Sequence, residues 1–82
     1  PMRGKGIGTI ATKMITGYGF ETIGFKRIEA AVDLDNHASQ KLLLSAGYIR
    51  EGVLRQRVTR ANGEQIDMVE LAALAGEWKG LD

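Results

Sequence analysis

Residues 3–9 read Arg3-Gly4-Lys5-Gly6-Ile7-Gly8-Thr9 and lead directly into Ile10, Ala11, Met14, Ile15 and Tyr18. From Ile7 onward the apolar residues return at i, i+3, i+4 and i+7, the spacing of one buried helix face. Gly17 and Gly19 each cost about 1 kcal/mol relative to alanine inside a helix, but Phe20 and Ile23 carry the pattern to Gly24. Gly24 can take the left-handed conformation that ends a helix. The glycines in front leave backbone N–H groups unpaired at the helix amino terminus, where the helix dipole adds partial positive charge. Such a turn can cradle a phosphate or pyrophosphate, and Arg3 and Lys5 add full charges. It can equally be a flexible lead into the helix, because short glycine patterns are common.

After this helix, residues 27–33 contain Ile28, Ala30, Ala31 and Val32, the composition of a largely buried strand. Asp33, Leu34, Asp35 and Asn36 form a polar break, and Asn36 is suited to cap a helix carried by Ala38, Leu42, Leu43 and Ala46. Gly47 closes it. Residues 53–59 and 65–74 flank Asn62-Gly63, a strong signal for an antiparallel hairpin with a type I′ turn. The order is helix, strand, helix and antiparallel β-hairpin, an α/β chain forming one domain over residues 1–82 without repeats or long linkers. Read as a βαβ unit, it lacks the first strand.

Composition narrows the partners. Apolar residues at 44% and charged residues at 26% are globular proportions, and 82 residues support one modest core. A net charge of +1 offers no global field for nucleic acid or an anionic membrane, so neither is an expected partner. Anion binding would have to come from local groups such as Arg3 with Lys5, or Arg55, Arg57 and Arg60. Without cysteine there is neither a disulfide framework nor thiolate chemistry, and the expected compartment is the cytoplasm. No signal peptide or long apolar run points to secretion or membrane spanning.

Other phosphate loops fit poorly. The string G-x-x-x-x-G-K-[ST] is absent, and G-x-G-x-x-G fails at Thr9. Asp33, at the end of the next strand, is the one feature favouring a dinucleotide site.

Taken with the second half of the chain, the glycine stretch resembles a known family. Arg3-Gly4-Lys5-Gly6-Ile7-Gly8 is similar to the R/Q-x-x-G-x-G/A signature of GNAT acetyltransferases. Asn36-His37-Ala38-Ser39, Leu42 and Leu43, Ala46-Gly47-Tyr48 and Glu51-Gly52-Val53-Leu54-Arg55 resemble the N-x-x-S, G-F/Y and E-G-x-x-R pattern of the RimJ/RimL-like ribosomal-protein N-acetyltransferases. The resemblance covers residues 3–79. It implies the carboxyl-terminal half of a GNAT fold, with acetyl-CoA as co-substrate and no metal. It also implies transfer of acetyl to an amine acceptor, such as a protein amino terminus, by direct attack.

The same resemblance implies roles for single residues. Backbone amides of Arg3, Gly4, Lys5, Gly6, Ile7, Gly8 and Thr9 would hold the pyrophosphate, and Asn36 would hydrogen-bond the pantetheine arm. Direct attack needs a proton for the departing thiolate, whose conjugate acid titrates near an ordinary thiol at about 8.5. Many relatives use a tyrosine at the position occupied here by Leu43, so that mechanism does not carry over. In the RimL-like branch a serine three residues after the asparagine is the candidate, here Ser39. Asn36 as a plain helix cap and Ser39 as a first-turn serine are the competing readings. His37 is expected on a solvated turn, Arg55, Arg57 and Arg60 on the wet face of a strand, and Glu29 and Glu70 are bases by chemistry alone.

Family members place a further strand before the phosphate loop, splayed from residues 27–33, and build the acceptor site from amino-terminal elements. Neither is in this sequence, which would suit a fragment, a truncated gene product or one half of a two-chain assembly. The strand edge at residues 27–33 and the apolar helix face would then be exposed. Self-association as a two-fold homodimer, or pairing with a complementing chain, is the expected outcome.

Overall fold

A computed structural model describes residues 5–78, with side chains from residue 8 onward. Arg3 and Gly4, and the side chains of Lys5 and Ile7, lie outside the described residues. Helix α1 spans Lys5–Tyr18 and starts two residues before the apolar series at Ile7. It continues as a π-helical turn over Gly19–Ile23 and stops at Gly24, whose φ of 90° is left-handed and whose N–H donates to the Gly19 carbonyl. Strand β1 is Arg27–Asp33, helix α2 is His37–Ser45, and strands β2 and β3 are Ile49–Thr59 and Gln65–Leu74. The sheet order is β1-β3-β2, with both pairings antiparallel. No helix among the described residues is long and apolar enough to cross a membrane.

The core lies on one face of the sheet. Ala46 and Tyr48 pack with Val69, Leu71 and Ala73 of β3, and Phe20, Ile28, Val32, Leu43 and Trp78 close around them. Leu71 and Val69 are fully buried, each removing apolar surface worth about 1.5–3 kcal/mol from water. The Trp78 indole N–H donates to the Ala46 carbonyl at 3.1 Å, and the ring meets Phe20 edge-on. Thr16 Oγ1 and the Tyr48 hydroxyl hydrogen-bond at 2.7 Å inside this core, which ties α1 to the segment entering β2.

The structure overturns the expected burial of α1. Ile10, Met14, Ile15 and Tyr18 are exposed, Met14 by 60% and Ile15 by 72%. The inward face carries Gly8, Thr12, Thr16 and Gly19 instead. Small residues there permit close approach: a Cβ on Gly19 would lie 2.8 Å from the Ile28 Cδ1, and one on Gly8 would lie 2.7 Å from the Leu42 Cδ1. Periodicity locates an apolar stripe, but burial follows whichever face a neighbour can approach.

The hairpin also differs from expectation. Strand β2 begins at Ile49 rather than at Val53, and its pairing with β3 shifts between Arg50 and Gly52 and again between Leu54 and Val58. At the turn only Gly63 is left-handed, and its N–H donates to the Arg60 carbonyl at 2.9 Å. Asn62 stays outside the left-handed region because its side-chain oxygen accepts from the Glu64 N–H. A turn followed by a glycine bulge has replaced the type I′ geometry.

Candidate functional site

The sequence candidates lie at the amino termini of two helices, α1 and α2. Lys5, Gly6, Ile7 and Gly8 form the first turn of α1, within the helix rather than in a loop before it. The unpaired N–H groups of a helix start therefore belong to these residues. No acidic residue sits in this turn to compete for them. Gly8 abuts Leu42, which lies on α2 one turn beyond Ser39 and on the same face. Thr12 Oγ1 donates to the Gly8 carbonyl at 2.9 Å, and Thr9 is half-buried beside it.

The α2 start is held firmly. Asn36 is its N-cap, with its side-chain oxygen accepting from the Ser39 N–H at 3.1 Å. The cap reading of Asn36 is therefore correct as far as it goes. It uses the amide oxygen and leaves the NH₂ group of the same side chain to donate elsewhere. Ser39 is half-buried, and His37 is exposed on the first turn. Gln40, which sequence reasoning passed over, is buried and donates to the Leu34 carbonyl at 2.9 Å and to the Asp33 carbonyl at 3.3 Å. It locks the end of β1 to α2 and so fixes Asn36 and Ser39. A glutamine in a helix first turn carries no sequence signal that distinguishes this role from an exposed one.

The sheet face opposite the core holds a second constellation. Arg27 Nη2 lies 2.6 Å from a Glu51 carboxylate oxygen, 2.9 Å from one of Glu70 and 2.8 Å from one of Glu29. The Glu51 hydrogen bond is the largest cause of an upward shift of the Arg27 guanidinium, and Arg27 in turn holds the Glu51 carboxyl below its usual range. Glu29 and Glu70, the bases permitted by chemistry, are thus ion-paired to one cation. No spacing rule joins residues from three strands, so only the fold reveals the group.

Arg60 lies just past β2 and pairs with Glu64 and Asp33, not on the wet face of the strand. Arg55 and Arg57 are exposed on β2.

Residues 1–49 match the acetyltransferase (GNAT) domain model. The chain belongs to the GNAT acetyltransferase family. It is 38% identical over 77 residues to an uncharacterized N-acetyltransferase, p20, of Bacillus licheniformis, covering 94% of this chain and 43% of that protein. Its fold is similar to that of a GNAT-family acetyltransferase from Bacillus anthracis, with a TM-score of 0.83, 29% identity and coverage of 89% and 43% of the two chains. It is also similar to a ribosomal-protein-S5-alanine acetyltransferase from Vibrio fischeri, with a TM-score of 0.81, 28% identity and coverage of 95% and 42%. The chain spans about two fifths of the length of the relatives it matches.

Within this GNAT chain the dinucleotide reading of Asp33 fails. Its carboxylate accepts from the Asp35 N–H at 2.8 Å and pairs with Arg60 at 3.2 Å, while β1 has only an antiparallel neighbour among the described residues. Leu43, where many relatives carry a tyrosine, packs against the core. Tyr48 offers no replacement, because it is buried with its hydroxyl on Thr16.

Proposed function

We propose that this chain supplies the acetyl-CoA-binding half of an N-acetyltransferase that acetylates a protein amino terminus or another primary amine by direct attack. The observation carrying this reading is the close contact of Gly8 with Leu42. It brings the first turn of α1 against the helix that bears Asn36 and Ser39. Residues 3–9 would hold the pyrophosphate through backbone N–H groups, with Arg3 and Lys5 adding charge. The donor set suits an anion, since the first turn offers N–H groups and no carboxylate. Asn36 would direct its free NH₂ group to the pantetheine amide. Acetyl-CoA supplies the activated acetyl group and a thiolate leaving group.

Ser39 would donate its hydroxyl proton at the departing sulfur, and its half-buried place on α2 suits a group that must be fixed yet reachable. Glu51 is poorly suited as the base that neutralises the amine, because Arg27 stabilises its ionised form. The likeness to a ribosomal-protein acetyltransferase favours a RimJ/RimL-like branch and a protein amino terminus as acceptor. The chain would work in the cytoplasm as a homodimer or beside a complementing chain.

The competing reading is a non-catalytic CoA-binding or assembly module. Turnover on amine-bearing peptides, set against CoA binding by calorimetry, separates the two. In a catalytically complete assembly, Ser39→Ala should depress turnover with acetyl-CoA affinity nearly intact, while Asn36→Ala should weaken binding. Full turnover by Ser39→Ala would make the serine structural and water the proton source.

A further inference from the structure

Gln40 is buried to 8% exposure on α2, whereas Asn36 and His37 at the start of the same helix are exposed. Burying a carboxamide is unfavourable unless its polar atoms are matched, so its partners show what the burial achieves. They are main-chain carbonyls of the turn from β1 to α2, Leu34 at 2.9 Å and Asp33 at 3.3 Å. Two acceptors select the amide nitrogen as the inward atom, since the carboxamide oxygen cannot donate.

The same bonds surround Asn36. Its N–H donates at 2.9 Å to the Asp33 carbonyl, the one that Gln40 also reaches. Its own carbonyl accepts from the Gln40 N–H at 3.2 Å, and its side-chain oxygen accepts from the Ser39 N–H at 3.1 Å. Leu34, within the turn, donates its N–H to the Asp67 carbonyl of β3 at 3.0 Å. Gln40 therefore holds Asn36 twice, directly through the main chain and indirectly through Asp33, and ties the turn to the sheet. An exposed asparagine on a loose turn would move among rotamers, and that freedom would be lost on binding a ligand.

We infer that Gln40 is a positioning residue for acetyl-CoA: its carboxamide fixes the turn that aims the Asn36 NH₂ group at the pantetheine arm. The inference rests on the proposed role of Asn36 in holding that arm. Methionine at position 40 fills a similar volume without donating, and it takes the Gln40 donor from the Leu34 carbonyl. Glutamate sets a carboxylate against both carbonyls and can donate only once protonated. If Gln40 acts through Asn36, its effect on the ligand disappears when the Asn36 side chain is gone, whereas a purely structural effect persists.

The test measures acetyl-CoA affinity by calorimetry, in the assembly that binds it, and amide exchange by NMR. The variants are Gln40→Met, Gln40→Glu, Asn36→Ala and the Gln40→Met/Asn36→Ala pair. Exchange at Ser39 reports the cap, and exchange at buried Val69 and Leu71 reports the core. In Gln40→Met, exchange at Ser39 should quicken while Val69 and Leu71 stay protected. Acetyl-CoA should then bind about two- to tenfold more weakly, the range expected for one ordinary hydrogen bond. In the Asn36→Ala background the same change should alter affinity by less than about twofold. In Gln40→Glu, affinity relative to the unaltered chain should be low at neutral pH. It should recover as the carboxyl protonates above its ordinary value of about 4.3, raised there by burial and the facing carbonyls. Asp33, Asp35, His37, Arg60 and Asp67, the charged and titratable groups around the turn, are common to both chains, so the ratio isolates position 40.

Full affinity in Gln40→Met while Asn36→Ala is impaired, or equal losses with and without the Asn36 side chain, would overturn the positioning role alone. An unchanged Ser39 amide in Gln40→Met would do the same. Should Gln40→Met lose its core protection, Gln40→Glu decides, and an affinity that follows the unaltered chain at every pH would overturn the role. Full affinity in Asn36→Ala would overturn the reading of Asn36 and the inference with it.

Discussion

Gly8 has two potential roles, and a double-mutant cycle with Leu42 separates them. A Cβ at position 8 would lie 2.7 Å from the Leu42 Cδ1, whereas carbons in contact sit about 3.5–4.0 Å apart. One partner must therefore give by about 1 Å. The Leu42 methyl ends a flexible, half-buried side chain, so repacking should absorb most of the clash at about 1–3 kcal/mol. Alanine recovers up to about 1 kcal/mol through its helix propensity, which leaves a net cost of about 0–2 kcal/mol and a folded chain. If the Gly8 backbone also approaches pyrophosphate, Gly8→Ala should weaken CoA binding at least about tenfold, or 1.4 kcal/mol. Thermal unfolding reads the packing, and calorimetry in whatever assembly binds CoA reads the ligand. Leu42→Ala in the Gly8→Ala background should relieve the stability loss and leave CoA affinity low. Recovery of affinity to that of Leu42→Ala alone would show that helix displacement caused the loss, and the phosphate role of Gly8 would be refuted.

Two further outcomes follow from the core and from the open sheet face. Thr16→Val and Tyr48→Phe should each cost about 1–3 kcal/mol in chemical denaturation, because each strands a buried hydroxyl group. The double variant should cost clearly less than the sum, and simple additivity would show that the bond does not couple them. For Glu51, Arg27 lowers the folded pKa below the unfolded one, so its contribution is present above the ordinary carboxylate range and lost as pH falls through it. Glu51→Gln should flatten the acid limb of the stability profile slightly, given how exposed the pair is, and identical limbs would contradict the pairing.

Local chemistry was legible residue by residue. Gly24 and Gly47 end their helices in left-handed conformations, Asn36 caps α2, and residues 27–33 form a strand, although Arg27, Glu29 and Ala31 are exposed where the apolar run implied a largely buried one. Each of these depends on the conformational preference or hydrogen-bonding reach of one or two residues, which travel with the sequence. The glycine-rich start of α1 and the N-x-x-S stretch were likewise visible as strings. The approach of Gly8 to Leu42 was not, because residues 8 and 42 are brought together only by packing.

The amino-acid sequence by itself determined the order of elements, their stops and the GNAT resemblance. Only tertiary structure decided which face of α1 turned inward. Ile10, Met14, Ile15 and Tyr18 have the greater hydrophobicity, but Gly8, Thr12, Thr16 and Gly19 have the smaller volume, and the neighbouring α2 and β1 could approach only the smaller face. The Arg27 cluster and the buried Gln40 were decided in the same way, by strand register and by the loop that Gln40 closes. Such long-range coincidences of position leave no periodicity in the chain, since the energy that fixes them comes from partners distant in sequence.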